Sequence, residues 1–116
     1  AQRIYQAMVR EPFMVAGSER WCTRAMQVGK GAFIVKTGAE GVYCGAVPEI
    51  GVGIALKIDD GASRAAECAM GAVLSGLGCL TNEQSSDLVG SVILNVAGKK
   101  VGRVQPAPEA ADFVLR

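Results

Sequence analysis

The tripeptide Lys36-Thr37-Gly38 combines three residue types that together could bind an anionic or carbonyl-bearing molecule. The lysine ammonium attracts negative charge, the threonine hydroxyl donates a hydrogen bond, and the glycine lets another molecule lie against the backbone. The tripeptide follows an apolar run, residues 32–35, which is typical of a buried strand. We therefore predict a substrate-binding strand that ends at Lys36, Thr37 and Gly38.

The apolar and glycine-rich neighbourhood of Lys36 predicts that its side chain is partly removed from solvent. Burial disfavours the charged form of an amine, so a lysine in such a place can act as a base or activate a nearby serine hydroxyl. Glu40 lies two residues after Gly38 and has two interpretations. It is either a solvated loop carboxylate or a group that orients Lys36 or a substrate ammonium. Asp59 and Asp60 are interpreted as helix-capping residues.

Several other chemistries lack the residues they require. The chain contains no histidine, which excludes Ser-His and Cys-His arrangements within it. Neither a dinucleotide-binding glycine fingerprint nor a Walker sequence is present, so phosphate chemistry has no support. A Ser-x-x-Lys nucleophile is also missing, because no serine of the chain has a lysine three residues later. The serines tested are Ser18, Ser63, Ser75, Ser85, Ser86 and Ser91.

The cysteines predict buried free thiols in a reducing compartment, here the cytoplasm. The four residues, Cys22, Cys44, Cys68 and Cys79, form no Cys-x-x-Cys pair and lie among apolar neighbours. We assign them no metal. Neither a signal peptide nor a bilayer-length apolar run is apparent, so we expect no membrane association. The net charge is +1, and the densest basic cluster, at 99–103, is interpreted as a solvated turn rather than a nucleic-acid contact.

The pattern of apolar and turn residues predicts an α+β fold, with an antiparallel sheet of three or more strands packed against helices. Alternating apolar residues and short connections predict strands at 32–36, 41–47 and 52–58. Small residues on the second face of the third strand indicate close packing there, so we expect both sheet faces to be covered. Helical spacing predicts helices at 1–9, 19–26 and 62–77, with Ser18 or Gly17 and then Asp60 or Ser63 as caps.

The last third of the chain has several interpretations. Residues 82–87 form either a loop or a cap for a short helix through 88–92, and 92–94 fit a strand equally well. Residues 101–104 form a strand, and 109–116 form one more helical turn. The length of 116 residues allows one domain at most, so we expect a single unit over residues 1–116.

Several segments together resemble the thermolabile, rhizobial-type L-asparaginases known as asparaginase II. The resemblance covers nearly the whole chain and is more specific than Lys-Thr-Gly alone, which also marks class A β-lactamases and penicillin-binding proteins. The segments that carry it are Phe33-Ile34-Val35-Lys36-Thr37-Gly38-Ala39-Glu40-Gly41-Val42, Gly53-Ile54-Ala55-Leu56-Lys57-Ile58-Asp59-Asp60-Gly61, Arg64-Ala65-Ala66-Glu67, Arg20-x-Cys22-Thr23 and Gly98-x-x-Val101-Gly102.

The resemblance implies the fold of serine β-lactamases and hydrolysis of L-asparagine to L-aspartate and ammonia. It also implies that this chain corresponds to the C-terminal part of a longer domain. The family's Ser-x-x-Lys nucleophile, its second serine and its zinc site, built from two cysteines and a lysine, have no counterparts here. Only the strand lysine is carried over, onto Lys36, with Thr37 and Gly38 as pocket wall. The chain by itself is then expected to be inactive, and to self-associate or to bind the missing N-terminal part.

Two further hypotheses remain open. The absence of a nucleophile fits a non-catalytic binding or regulatory module that retains the strand and its pocket. Lys36-Thr37-Gly38 alone also fits a β-lactam-binding protein. These hypotheses differ in the reaction that they allow, so hydrolysis assays distinguish them.

Overall fold

A computed structural model describes residues 1–110 of the chain and shows an α+β fold. Within these residues it contains five α-helices, a three-stranded sheet and a two-stranded sheet, both antiparallel. The predicted fold class is confirmed. The backbone divides into two compact units, residues 1–61 and the chain from Ala62 onward. The expectation that the whole chain forms one domain stays a prediction.

Three helices open the first unit: α1 (Gln2–Arg10), α2 (Pro12–Ala16) and α3 (Trp21–Gly29). Helix α1 agrees with the predicted helix and ends at Glu11, before Pro12. Helix α2 was not predicted, and it begins with a proline, which suits the first helical position because its missing N–H needs no partner there. Helix α3 begins later than predicted, and Arg20 rather than Ser18 or Gly17 is its N-cap residue.

The sheet of the first unit is the predicted meander, with β1 (Ile34–Thr37), β2 (Val42–Val47) and β3 (Val52–Lys57) in that spatial order. A single 3-10 turn, Pro48–Ile50, joins β2 to β3. The strands pair in register, so Lys36 lies opposite Cys44, and Cys44 lies opposite Ala55. Paired residues point to the same side of an antiparallel sheet, and the alternation along each strand therefore defines its two faces.

One face of this sheet contributes to the core, together with helix α3. Its buried residues are Val35, Tyr43 and Val47, and α3 adds Trp21 and Met26. The Trp21 and Tyr43 rings meet edge to face, with their centroids 5.6 Å apart. This packing holds the sheet against the helix.

The other face of the sheet is exposed, which corrects the expectation that both faces are covered. Gly53 and Ala55 of β3 are exposed, and a Cβ atom added at Gly53 would meet nothing within 4 Å. The small residues of β3 therefore pack against no group of the described chain.

The second unit contains α4 (Ser63–Gly76), α5 (Asn82–Leu88) and the hairpin of β4 (Ser91–Leu94) and β5 (Lys100–Val104). Helix α4 agrees with the predicted helix, although its N-cap residue is Ala62 rather than Asp60 or Ser63. Its buried residues include Ala66, Met70 and Leu74. The short helix lies earlier than the predicted 88–92, because Thr81 and Gln84 form a reciprocal capping box that starts α5 at Asn82.

Close contact between α4 and α5 explains one of the helical glycines. A Cβ atom at Gly71 would lie 2.7 Å from the carbonyl oxygen of Leu88. The two helices therefore approach each other too closely at this point for a side chain. The hairpin that follows α5 is exposed along β4, where Val92, Ile93 and Leu94 are all more than a third accessible. Residues 111–116 of the predicted C-terminal turn lie outside the described residues.

No helix in residues 1–110 combines the length and the apolar character needed to cross a bilayer.

Candidate functional site

The predicted site residues lie together at the end of β1 and in the turn that follows it. Lys36 is exposed, and its Nζ donates a hydrogen bond to the carbonyl oxygen of Thr37 at 2.7 Å. The expected loss of solvent at Lys36 is therefore wrong for this chain taken by itself. The hydroxyl of Thr37 donates to the carbonyl oxygen of Gly38 at 3.2 Å. The ammonium of Lys36 and the hydroxyl of Thr37 thus each bond to a backbone carbonyl at the strand end, from opposite faces of the sheet.

Gly38 begins the turn between β1 and β2 for a steric reason. Its N–H donates to the carbonyl oxygen of Val42 at 2.7 Å, which closes the turn. A Cβ atom at this position would lie 3.2 Å from two side-chain atoms of Val42, which is tighter than ordinary contact. The absence of a side chain therefore lets the turn close and leaves the backbone beside Lys36 uncovered.

Glu40 is exposed at the tip of the same turn and adopts a left-handed conformation with φ of 58°. Few non-glycine residues do so, because the Cβ atom approaches the following carbonyl. Lys57, at the end of β3, donates a hydrogen bond from Nζ to the carbonyl oxygen of Glu40. The backbone of Glu40 is thus held from the third strand, while its carboxylate remains at the surface.

The sheet register places Lys36 on a surface that we call the open face. Its exposed members are Lys36, Cys44, Gly53, Ala55 and Lys57. Its half-buried members are Ile34, Val42 and Ala46. Two ammonium groups therefore share a surface made otherwise of small or apolar side chains.

The sequence analysis missed two members of the open face, Cys44 and Lys57. Cys44 lies directly opposite Lys36, and Lys57 lies two residues after Ala55 on the same side of β3. The alternation of β3 offered a signal, because Lys57 stands out of phase with Val52, Ile54 and Leu56. Its contact with Glu40 depends on residues 17 apart in sequence, which no local pattern reveals.

Two cavities of the first unit lie away from Lys36. One, of about 650 Å³, is lined by Ile4, Tyr5, Ile34, Ala46 and Pro48 among others, so it reaches the edge of the open face. The other, of about 540 Å³, is formed by α1 and α2. Lys36 lines neither. Any pocket wall opposite Lys36 would have to come from other residues.

The cysteines are free thiols of differing accessibility. Cys22 and Cys68 are buried, Cys79 is half-buried and Cys44 is exposed, so the prediction of buried thiols is wrong for Cys44. Cys22 donates to the Tyr43 hydroxyl at 3.5 Å within the core. Burial raises the pKa of the Cys68 thiol, and the nearby positive charge of Arg103 opposes part of that rise.

This difference predicts selective alkylation. The thiolate is the reactive species, so a buried thiol with a raised pKa reacts slowly. In the isolated 116-residue chain, where Cys44 is exposed, we expect iodoacetamide at neutral pH to modify Cys44 first and Cys68 only after unfolding. Peptide mass mapping over time measures the order. Modification of Cys68 before Cys44 in the folded protein would contradict the structure, and a Cys44→Ser variant provides the control.

In the part of the chain that the structure describes, no cluster of three or more cysteine, aspartate or glutamate residues could hold a metal ion.

Comparison with known proteins supplies the context for this geometry. The family model described as L-asparaginase II matches residues 1–106 of the chain. The match includes β1, the turn after it and all of β3. No curated protein matches the sequence.

Proposed function

The chain belongs to the L-asparaginase II family, and from this premise we propose that it supplies the lysine strand of an enzyme that hydrolyses L-asparagine to L-aspartate and ammonia. The observation that carries the proposal is the position of Lys36, whose amine stands on the open face beside Thr37 and Gly38, within the segment that the family model matches. An asparaginase-like function follows from the family, and the role of each residue is our proposal.

The reaction that we propose is acyl transfer through a serine. The serine oxygen attacks the side-chain amide carbon of asparagine, and its proton passes to a lysine amine, for which we propose Lys36. The proton then moves to the amide nitrogen, the carbon–nitrogen bond breaks and ammonia leaves. Water attacks the resulting ester, which releases aspartate and restores the serine. The lysine must be neutral when it accepts the proton and cationic when it donates it.

The serine has to come from outside the 116 residues, because the chain contains no Ser-x-x-Lys sequence. The open face supports association with the part that carries it, since an exposed sheet surface of small residues with two lysines can be covered by a complementary surface. We propose that this part is the remainder of a longer β-lactamase-like domain, or a second subunit. Thr37 and Gly38 then form the pocket wall next to the substrate, and Glu40 orients Lys36 or the substrate ammonium.

The free thiols, including the exposed Cys44, support a reducing compartment, and we propose the cytoplasm.

The absence of a nucleophile within the chain favours a second candidate function, a binding or regulatory module that keeps the strand without catalysis. Such a module would bind asparagine without releasing ammonia.

Ammonia release from asparagine and glutamine, together with the colour change on ring opening of a chromogenic β-lactam, tests these proposals directly. We expect the native gene product that carries this sequence to release ammonia from asparagine, and the isolated 116-residue chain to release none. Binding of asparagine without turnover by the native product would support the module instead. Turnover of the β-lactam alone would support a β-lactamase and contradict the asparaginase proposal.

A further inference from the structure

We propose that Lys57 is a positioning residue, which holds the turn between β1 and β2 so that the amine of Lys36 and the backbone of Thr37 keep the geometry that the reaction needs. The inference rests on the proposed asparaginase function and assigns a role to a residue outside the Lys-Thr-Gly segment. The described hydrogen bonds of Lys57 go to neither Lys36 nor Thr37. Lys57 therefore affects them through the position of the turn.

The ammonium of Lys57 bridges two backbone carbonyls. It donates to the carbonyl oxygen of Glu40 in the turn and, at 2.8 Å, to that of Ile58, the residue that follows β3. A charged donor makes stronger hydrogen bonds than a neutral one. One of the two acceptors belongs to the left-handed residue of the turn, with φ of 58°. The cation therefore ties the least favourable backbone conformation of the turn to the end of β3.

The end of β3 contacts the same turn at a second point. The N–H of Ile58 donates to the carbonyl oxygen of Gly41 at 3.0 Å. A Cβ atom at Gly41 would lie 3.0 Å from Cβ of Ile58 and 3.1 Å from Cα of Gly61. The turn is thus held at Gly41 by close packing against Ile58 and Gly61, and at Glu40 by the hydrogen bond from Lys57. Removal of the cation releases one side only, so the fold should survive while the turn becomes looser.

The turn and the amine of Lys36 are linked by two hydrogen bonds. The N–H of Gly38 bonds to Val42 at 2.7 Å, and the preceding carbonyl, that of Thr37, accepts the hydrogen bond from Lys36 at 2.7 Å. A displacement of the turn therefore moves the acceptor of the Lys36 amine. Small displacements of a catalytic group can lower a rate on the order of 10²-fold.

The test compares three variants of the native gene product: Lys57→Met, Lys57→Arg and Lys99→Met. Methionine keeps most of the side-chain volume but cannot donate, and arginine keeps the charge and the donors. Lys99 is an exposed lysine in the turn of the second unit and serves as the matched control. The readouts are kcat and KM on asparagine, the melting temperature, and amide hydrogen exchange at Gly38 and Gly41.

For Lys57→Met we expect kcat to fall on the order of 10²-fold with KM little changed, and exchange at Gly38 to become roughly tenfold faster. Lys57→Arg should recover kcat to within roughly tenfold of the parent, and Lys99→Met should match the parent. A raised KM with unchanged kcat would overturn the inference, because it would make Lys57 a substrate-binding group. Unchanged exchange at both glycines would also overturn it.

The inference and the proposed function fail in different ways. A parent protein that releases no ammonia from asparagine contradicts the proposed function, and the positioning role of Lys57 in that reaction is then contradicted with it. An active parent whose Lys57→Met variant keeps the parent kcat and exchange rates contradicts the inference alone. A drop of both Lys57 variants in melting temperature and rate, with no recovery by arginine, would show general destabilisation and would likewise overturn the positioning role.

Discussion

Replacement of Lys36 by alanine is expected to lower asparagine turnover by the native protein on the order of 10²–10⁴-fold, the range that positioned acid–base groups contribute. The side chain is exposed on the open face, and its amine makes its described hydrogen bond to the neighbouring carbonyl of Thr37. Its removal therefore takes away a proton carrier without opening a cavity in the core. The melting temperature should change little, since surface substitutions away from special features have small effects.

Two comparison variants sharpen this experiment. Lys36→Arg keeps a positive charge but cannot release its proton at neutral pH, so it should be nearly as inactive as the alanine variant. Lys99→Ala removes an exposed lysine from the second unit and should leave turnover unchanged. Near-normal turnover by Lys36→Ala would contradict the assignment of this lysine. Recovery by arginine would show that charge, rather than proton transfer, is what the site requires.

The second large effect is expected at Gly71, where valine should lower the free energy of unfolding by about 1–3 kcal/mol. Overpacking of a filled site costs about 1–3 kcal/mol, and here even the Cβ atom would lie 2.7 Å from the Leu88 carbonyl oxygen. That oxygen belongs to the backbone, so it cannot move aside as a flexible side chain could. Valine is a better helix former than glycine, but this gain is only part of the roughly 1 kcal/mol that glycine costs a helix, so it offsets little of the overpacking.

In the isolated 116-residue chain, the matched control is Gly53→Val on β3, where an added Cβ atom would meet nothing within 4 Å. Valine favours strands, so this variant should be neutral or slightly more stable. Urea unfolding followed by far-ultraviolet circular dichroism measures both variants, with Gly71→Ala as an intermediate step. An unchanged midpoint for Gly71→Val would show that α4 and α5 do not pack as closely as the structure indicates.

The elements with strong periodicity could be predicted from the sequence. The alternation from Val52 to Ile58 and the apolar spacing around Ala66 and Met70 predicted β3 and α4 to within a residue or two of their observed ends. Helix α2 escaped prediction because its five residues are too few to show a helical period, and a proline such as Pro12 can end one helix as readily as it begins another.

The chemistry of the candidate site was predictable in part. Lys36, Thr37, Gly38 and Glu40 are contiguous in sequence, so they lie together in any fold that places them at a strand end. Their exposure was not predictable, because residue types do not reveal which sheet face a chain leaves uncovered. The hydrogen bond from Lys57 to the carbonyl of Glu40 depends on strand register, and register follows from pairing across the sheet rather than from local composition.

The edge-to-face pair of Trp21 and Tyr43 has a spectroscopic consequence. Trp21 is the only tryptophan of the chain, and both tyrosines, Tyr5 and Tyr43, also belong to the first unit. Indole emission and near-ultraviolet dichroism therefore report on the half of the molecule that carries the lysine strand, and leave the other half optically silent. A denaturation curve followed by fluorescence, laid over one followed by backbone dichroism, would show whether the two halves melt together or one after the other.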